Sequence, residues 1–152
     1  MQSGLNFVSL VIDVKKLAIC CGGKWIVLQP SNFAFYLWIA KRCLGGIPDG
    51  GGILRVGNSA EFIRLSTEFL SIYSDVVGSM SAHWETANGV LQREAEDATY
   101  SGKYFEYKVS KINRILKKNL PLDAHGYLIT AFGKKPFTKY GLTLLPDQIA
   151  IS

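Results

Sequence analysis

The amino-acid sequence predicts an α+β domain, on three observations. Residues 6–28 are β-branched and apolar, punctuated by Lys15-Lys16 and Gly22-Gly23. The middle of the chain places apolar residues at spacings of three and four, the helical period. The stretch from Lys103 to Leu144 joins a basic amphipathic run to a hairpin-like run with lysines at its tip. A helix with one basic face followed by a basic hairpin is the arrangement of a winged helix-turn-helix. The expected fold is that arrangement, with N-terminal β-strands and an enlarged helical layer.

Composition bounds the class. At 152 residues, with 48% hydrophobic and 19% charged residues, the chain suits one globular domain and does not read as disordered. We expect a single domain over 1–152: strands within 6–28, helices within 31–120 and a wing hairpin at 127–144. No apolar run approaches the roughly 20 residues of a membrane-spanning helix, so no membrane partner is expected. No basic segment precedes the first apolar residues, so neither a signal peptide nor a transit peptide is expected. Cys20, Cys21 and Cys43 make an odd count without metal-ligand spacing. Free thiols fit a reducing compartment, and a cytoplasmic location is expected, with no metal and no cofactor.

The charge is uneven. Residues 1–100 carry 8 Lys/Arg against 9 Asp/Glu, whereas residues 101–152 carry 9 against 3. The net charge of +5 therefore resides in the last third, which points to an anionic partner, nucleic acid first. The plain alternative is a basic, solvated surface without a ligand.

Along the chain, residues 6–14 and 17–28 read as short antiparallel strands with a turn at Gly22-Gly23. A helix follows Gln29-Pro30, with Ser31 or Asn32 as its cap. Phe33, Tyr36, Leu37, Ala40 and Leu44 form one face, and Phe35 and Trp38 widen it enough to make this helix the hydrophobic centre. The glycine-rich stretch 45–57 reads as a flexible loop; it lacks the Gly-Lys-Ser/Thr of a phosphate cradle. Asn58 with Glu61 reads as a helix start, continued by Phe62, Leu65, Phe69, Ile72 and Val76. A further helix is expected over 79–99, on Met80, Trp84, Ala87 and Leu91, ending in a solvated acidic cluster, Glu94, Glu96 and Asp97.

Tyr107 to Leu120 reads as the basic helix. Val109, Ile112, Leu116 and Leu120 share one arc, and Lys108, Lys111, Arg114 and Lys118 share the opposite one, with Asn113 and Lys117 at the margins. Pro121 stops it. Two apolar strands, Tyr127–Phe132 and Phe137–Leu144, then flank Gly133-Lys134-Lys135-Pro136, and residues 147–152 read as a tail. The expected nucleic-acid contacts are Lys108, Lys111, Arg114, Lys117 and Lys118 from the helix and Lys134, Lys135 and Lys139 from the wing. Asn113 is the candidate for reading an adenine edge.

Leu28-Gln-Pro-Ser31, Val109 through Leu120, Gly133 and Tyr140-Gly-Leu142 resemble the winged-helix effector domain of response-regulator transcription factors. Closer is the C-terminal winged-helix-like domain of a CRISPR-associated family that also carries a CARF-type sensor of cyclic oligonucleotides. The residues that carry this likeness are Val11-Ile-Asp-Val14, Leu28 through Ala40, Lys108-Val-Ser-Lys-Ile-Asn-Arg114, and Tyr127 through Leu142. The likeness covers most of the chain. It implies a regulatory, nucleic-acid-binding role in antiviral defence, with duplex DNA, a second copy, or a CRISPR effector or sensor domain as partner. The family's sensor domain has no counterpart in these residues, so its ligand site is carried over to none of them. The chain is expected to be a fragment, a split gene product or a stand-alone module. The added layer between Asn58 and Asp97 suits dimerisation or partner binding.

No catalytic constellation stands out. His83 beside Trp84 reads as packing, His125 as a turn residue, and no nucleophile elbow or zinc-peptidase motif occurs. The expectation is a protein without enzymatic activity. One alternative is a protein-interaction or dimerisation domain of winged-helix shape that binds no nucleic acid, marked by exposed faces on the helices Phe33–Trp38 and Phe62–Val76. A second alternative is a fragment of a nuclease, using Glu94 and Asp97 with a metal.

Overall fold

The computed structural model describes residues 8–54, 59–78, 81–96, 103–134 and 137–152. These form a mixed α+β structure. Three N-terminal strands, β1 (Leu10–Asp13), β2 (Ala18–Cys21) and β3 (Lys24–Val27), build an antiparallel meander. The β2–β3 connection is Gly22-Gly23, with φ of 58° and 94°. Two successive positive φ values give the turn a twist that matches the flanking strands, which is why glycine stands at both positions. The register places Ile12, Ile19 and Ile26 side by side on the core face.

The helices are α1 (Pro30–Leu44), a single turn α2 (Pro48–Gly51), α3 (Ser59–Val77), α4 (Ala82–Glu96) and α5 (Lys103–Asn119). Every residue from Asn32 to Ala40 is buried, so α1 is the axis of the core. Around it lie Phe62 and Phe69 of α3 and Phe105 of α5, with Phe35, Trp38, Phe69 and Phe105 at centroid separations of 5.3–6.5 Å. Each such ring contributes about 1.5–3 kcal/mol by burial, and tilted or edge-on pairing adds to it. This cluster ties three helices that are distant in sequence. None of the helices among the described residues is long and apolar enough to cross a membrane.

Three expectations are corrected here. The end of the chain is not a tail: β7 (Ile149–Ile151) pairs in parallel with β1, giving a sheet of order β3-β2-β1-β7. Alternating apolar residues in so short a run become a strand only because β1 offers an open edge. The glycine-rich stretch is more than a loop, since it contains α2 and the short strand β4 (Ile53–Leu54). Nor do Ser31 and Asn32 cap α1. The helix begins at Pro30, whose fixed φ suits the first helical position, and Gln29 precedes it without a side-chain cap. The proposed start at Asn58 lies outside the described residues, as do Met80 and Asp97. The fourth helix takes its N-terminal cap from Ser81, whose Oγ accepts the Trp84 N–H at 3.0 Å.

The C-terminal hairpin is shorter than its apolar runs. Residues 124–127 wind into a 3₁₀ turn, and the strands are β5 (Thr130–Phe132) and β6 (Lys139–Gly141). Strand β4 joins them in the order β4-β6-β5. Asp49, Gly50 and Gly51 all have positive φ, and the backbone of α2 runs directly against β6. A Cβ at Gly50 would strike the Leu142 carbonyl oxygen, and one at Gly141 would strike the Asp49 carbonyl oxygen. Close approach of two backbones is what these glycines permit.

Candidate nucleic-acid interface

Helix α5 begins at Lys103, so its buried stripe runs Phe105, Lys108, Val109, Ile112 and Leu116. Arg114, Lys117 and Lys118 are exposed, and no hydrogen bond or ion pair holds them among the described residues. Lys117 and Lys118 also lie in the last turn, where the helix dipole favours cations. Lys111 is half-buried. Its Nζ lies 3.4 Å from the Tyr107 hydroxyl and 5.6 Å from the centre of that ring.

Two of the expected contacts are elsewhere. Lys108 is only 6% exposed; its Nζ donates to Ser31 Oγ at 2.6 Å and Asn32 Oδ1 at 3.0 Å. Burial, and then the like charge of Lys111, hold its ammonium down to about 8. Asn113 does not face outward with a free amide. Its Oδ1 accepts the Ile129 N–H at 2.8 Å and its Nδ2 donates to the Ile129 carbonyl at 2.9 Å. Both ends of the side chain are used to anchor the start of the hairpin, so neither is presented to a base edge.

In the hairpin, Lys134 is exposed. Lys139 is half-buried, with Nζ 3.7 Å from Asp49 Oδ2. Lys135 lies outside the described residues. Lys24 joins the basic end of α5 from β3: its Nζ donates to the Asn119 carbonyl at 2.7 Å. A separation of 95 residues hides that pairing from any local reading of the sequence.

Comparison with known proteins gives no match: no family model, no curated protein and no solved structure is similar to the chain.

Beside α1 and α3 lies an open groove of about 1240 Å³, lined in part by Trp38, Arg42, Arg64, Glu68, Phe137 and Lys139. Arg42 is its fixed point. Its guanidinium donates to the carbonyls of Gly51 and Gly52 at 2.8 and 2.9 Å and to Glu68 Oε1 at 2.7 Å. Partial burial pushes the Glu68 carboxyl up. The hydrogen bonds from Trp38 and Arg42, with the charges of Arg42 and Arg64, outweigh that and leave it below its ordinary value. Arg42 and Arg64 are paired with Glu61 and Glu68, and Lys41 and Lys139 add two further cations to the lining, an arrangement that no local pattern of the sequence marks.

The remaining candidates fall as follows. Glu94 does not stand in solvent: its Oε2 accepts the Tyr104 N–H at 3.0 Å, capping the first turn of α5. His83 is exposed, not packed, and His125 is exposed in the 3₁₀ turn. Among the described residues no three His, Cys, Asp or Glu side chains are grouped to hold a metal ion.

Proposed function

We propose that the chain is a winged-helix nucleic-acid-binding or regulatory module of CRISPR-associated type. The observation that carries this reading is the outward row Arg114, Lys117 and Lys118 on α5, cations with no hydrogen-bond or ion-pair partner among the described residues, followed in the chain by a hairpin with exposed Lys134. The element order supports it. A strand between the first and later helices pairs with the second strand of the terminal hairpin, the layout of a winged helix. Such a surface binds phosphates before it reads bases, so affinity should fall steeply with salt. Anisotropy titrations of duplex DNA across a salt series test it. Replacing Arg114, Lys117 and Lys118 by Glu should weaken binding by at least about tenfold and lower the salt slope by about two to three. Affinity that ignores both salt and the triple substitution rejects the assignment.

A protein-interaction role is the second reading, and one observation favours it. The helical aromatic faces that would have marked it are buried in the core. The outer face of the N-terminal sheet, however, exposes Trp25 and Val27. Size-exclusion measurements across concentration, on the wild type and on Trp25→Ser, separate self-association from a monomeric nucleic-acid binder.

A further inference from the structure

The N-terminal sheet ends on one side at β3, and no strand among the described residues pairs with that edge. The register says which groups of β3 face it. Leu28 donates its N–H to the Leu17 carbonyl, so those two residues form a hydrogen-bonded pair. Bonded and non-bonded pairs alternate along an antiparallel ladder. Ile26 and Lys24 therefore bond to Ile19 and Cys21 of β2. Trp25 and Val27, opposite Cys20 and Ala18, turn their N–H and C=O groups to the free edge. Among the described residues no hydrogen bond takes up those groups. The side chains of the same two residues are 49% and 74% exposed. Free edges are ordinarily blunted by proline, a bulge or a charge. Here β3 contains no proline, its register with β2 has no bulge, and its one charged side chain, Lys24, is drawn off to the Asn119 carbonyl at 2.7 Å. The opposite edge strand, β7, has no exposed large apolar side chain.

The surroundings of this edge are basic. Lys15 and Lys16 are exposed in the β1–β2 turn, and Lys16 Nζ lies 5.9 Å from the centre of the Trp25 ring. Through Lys24 the edge adjoins the last turn of α5, where Lys117 and Lys118 are exposed. The one carboxylate of β1, β2 and β3, that of Asp13, accepts the Lys16 N–H at 3.1 Å.

We propose that β3 is the docking edge for an extended acidic segment of a partner protein, which adds a fifth strand to the four-stranded sheet. Its backbone would bond to Trp25 and Val27, its apolar residues at alternate positions would cover their side chains, and its carboxylates would meet the surrounding lysines. The proposal deepens the protein-interaction reading and rests on it, by giving the partner's chemistry. Nucleic acid suits this edge less well. A strand edge offers donors and acceptors in alternation, whereas phosphates supply acceptors alone, and Lys16 stands over the ring on which a base would stack. A second copy of the chain suits it less well too, because pairing β3 with itself brings Lys16 and Lys24 of both copies to one seam, and like charges across a ladder are destabilising.

The test is an amide NMR titration of the whole chain with three short capped peptides that share one frame of alternating valines and carry Glu, Ser or Lys between them. The Glu peptide should saturate, with shifts concentrated at the Trp25 and Val27 amides, and should bind at least about tenfold more tightly than the Lys peptide at low salt. Val27→Pro removes a free edge donor and no bond to β2, so it should weaken the Glu peptide by at least about tenfold. Lys15→Glu with Lys16→Glu should reverse the preference between the Glu and Lys peptides. Equal responses to the three peptides, no saturable response to the Glu peptide, or an undiminished response in a Val27→Pro protein whose spectrum remains dispersed overturns the proposal. Shifts of the same amides on adding duplex DNA alone, or on raising the protein concentration alone, also overturn it, by assigning the edge to nucleic acid or to a second copy. Size exclusion separates the two failures: self-association lost in Trp25→Ser without a peptide response rejects the acidic segment and keeps the protein-interaction reading, whereas a monomer without a peptide response rejects both.

Discussion

Asn113 of α5 grips Ile129 by both of its backbone groups, accepting from the N–H at 2.8 Å and donating to the carbonyl at 2.9 Å. The pair fixes where the chain leaves the 3₁₀ turn and enters β5. Asn113→Ala leaves a largely buried carbonyl and N–H unpaired, so it should cost about 1–3 kcal/mol in urea denaturation. Asn113→Asp keeps the acceptor and turns the donor into a second acceptor facing the Ile129 carbonyl, so it should be no better than Ala. If Asn113→Ala instead kept full stability while losing sequence preference on DNA, the side chain would be a base reader after all.

Arg42 is the second clamp. Three hydrogen bonds from one guanidinium join α1 to the backbone after α2 and to α3. Arg42→Ala should cost about 2–3 kcal/mol, since the Gly51 and Gly52 carbonyls and one Glu68 oxygen lose a charged donor together. Lys cannot reproduce the planar fork, so Arg42→Lys should recover less than half of that loss. Chemical denaturation of the three proteins side by side decides it.

The contact between α2 and β6 rests on absent side chains. Gly141→Ala drives a methyl into the Asp49 carbonyl, whereas at Gly126 an added Cβ meets nothing within 4 Å. Thermal melts should show Gly141→Ala destabilised by more than about 3 kcal/mol and Gly126→Ala within about 0.5 kcal/mol of wild type. Equal effects at the two positions would mean that the backbones are not in contact.

Lys108 predicts a pH dependence with a definite sign. Folded, its ammonium titrates near 8; unfolded, near the ordinary 10.5. Between those values the unfolded chain binds more protons, so the lysine's contribution to stability rises with pH, is least below about 8, and is complete above about 10.5. Other groups face it: Tyr73 from α3, His83 from α4, and Tyr104, Tyr107 and Lys111 from α5. Subtracting the pH profile of Lys108→Met removes what those groups share. The wild type should gain about 1–3 kcal/mol relative to that variant between pH 7 and 10.5. A flat difference would place the ammonium in solvent.

Much of the fold was legible because it is written locally. The 3.6-residue recurrence marked α1, α3 and α5, and two adjacent glycines marked the β2–β3 turn. The sites were less legible. The run from Tyr107 shows Lys108 only as one of a row of basic residues, whereas the helix begins at Lys103 and sets Lys108 three residues after Phe105 and four before Ile112, on the buried stripe. No local signal tells that Asn113 will meet Ile129, or that Lys24 will reach the end of α5, because those pairings depend on how helices and sheet close over one another.

By itself the sequence determined the α+β class, the apolar arc of α5 and the concentration of positive charge in the last third, since periodicity and composition are properties of short windows. Tertiary structure alone decided which polar groups remain available. Most buried donors and acceptors are paired, and packing chooses the partner from residues far away in the chain. Lys108 and Asn113 were taken inward by that pairing, and Arg114, Lys117 and Lys118 were left to face solvent.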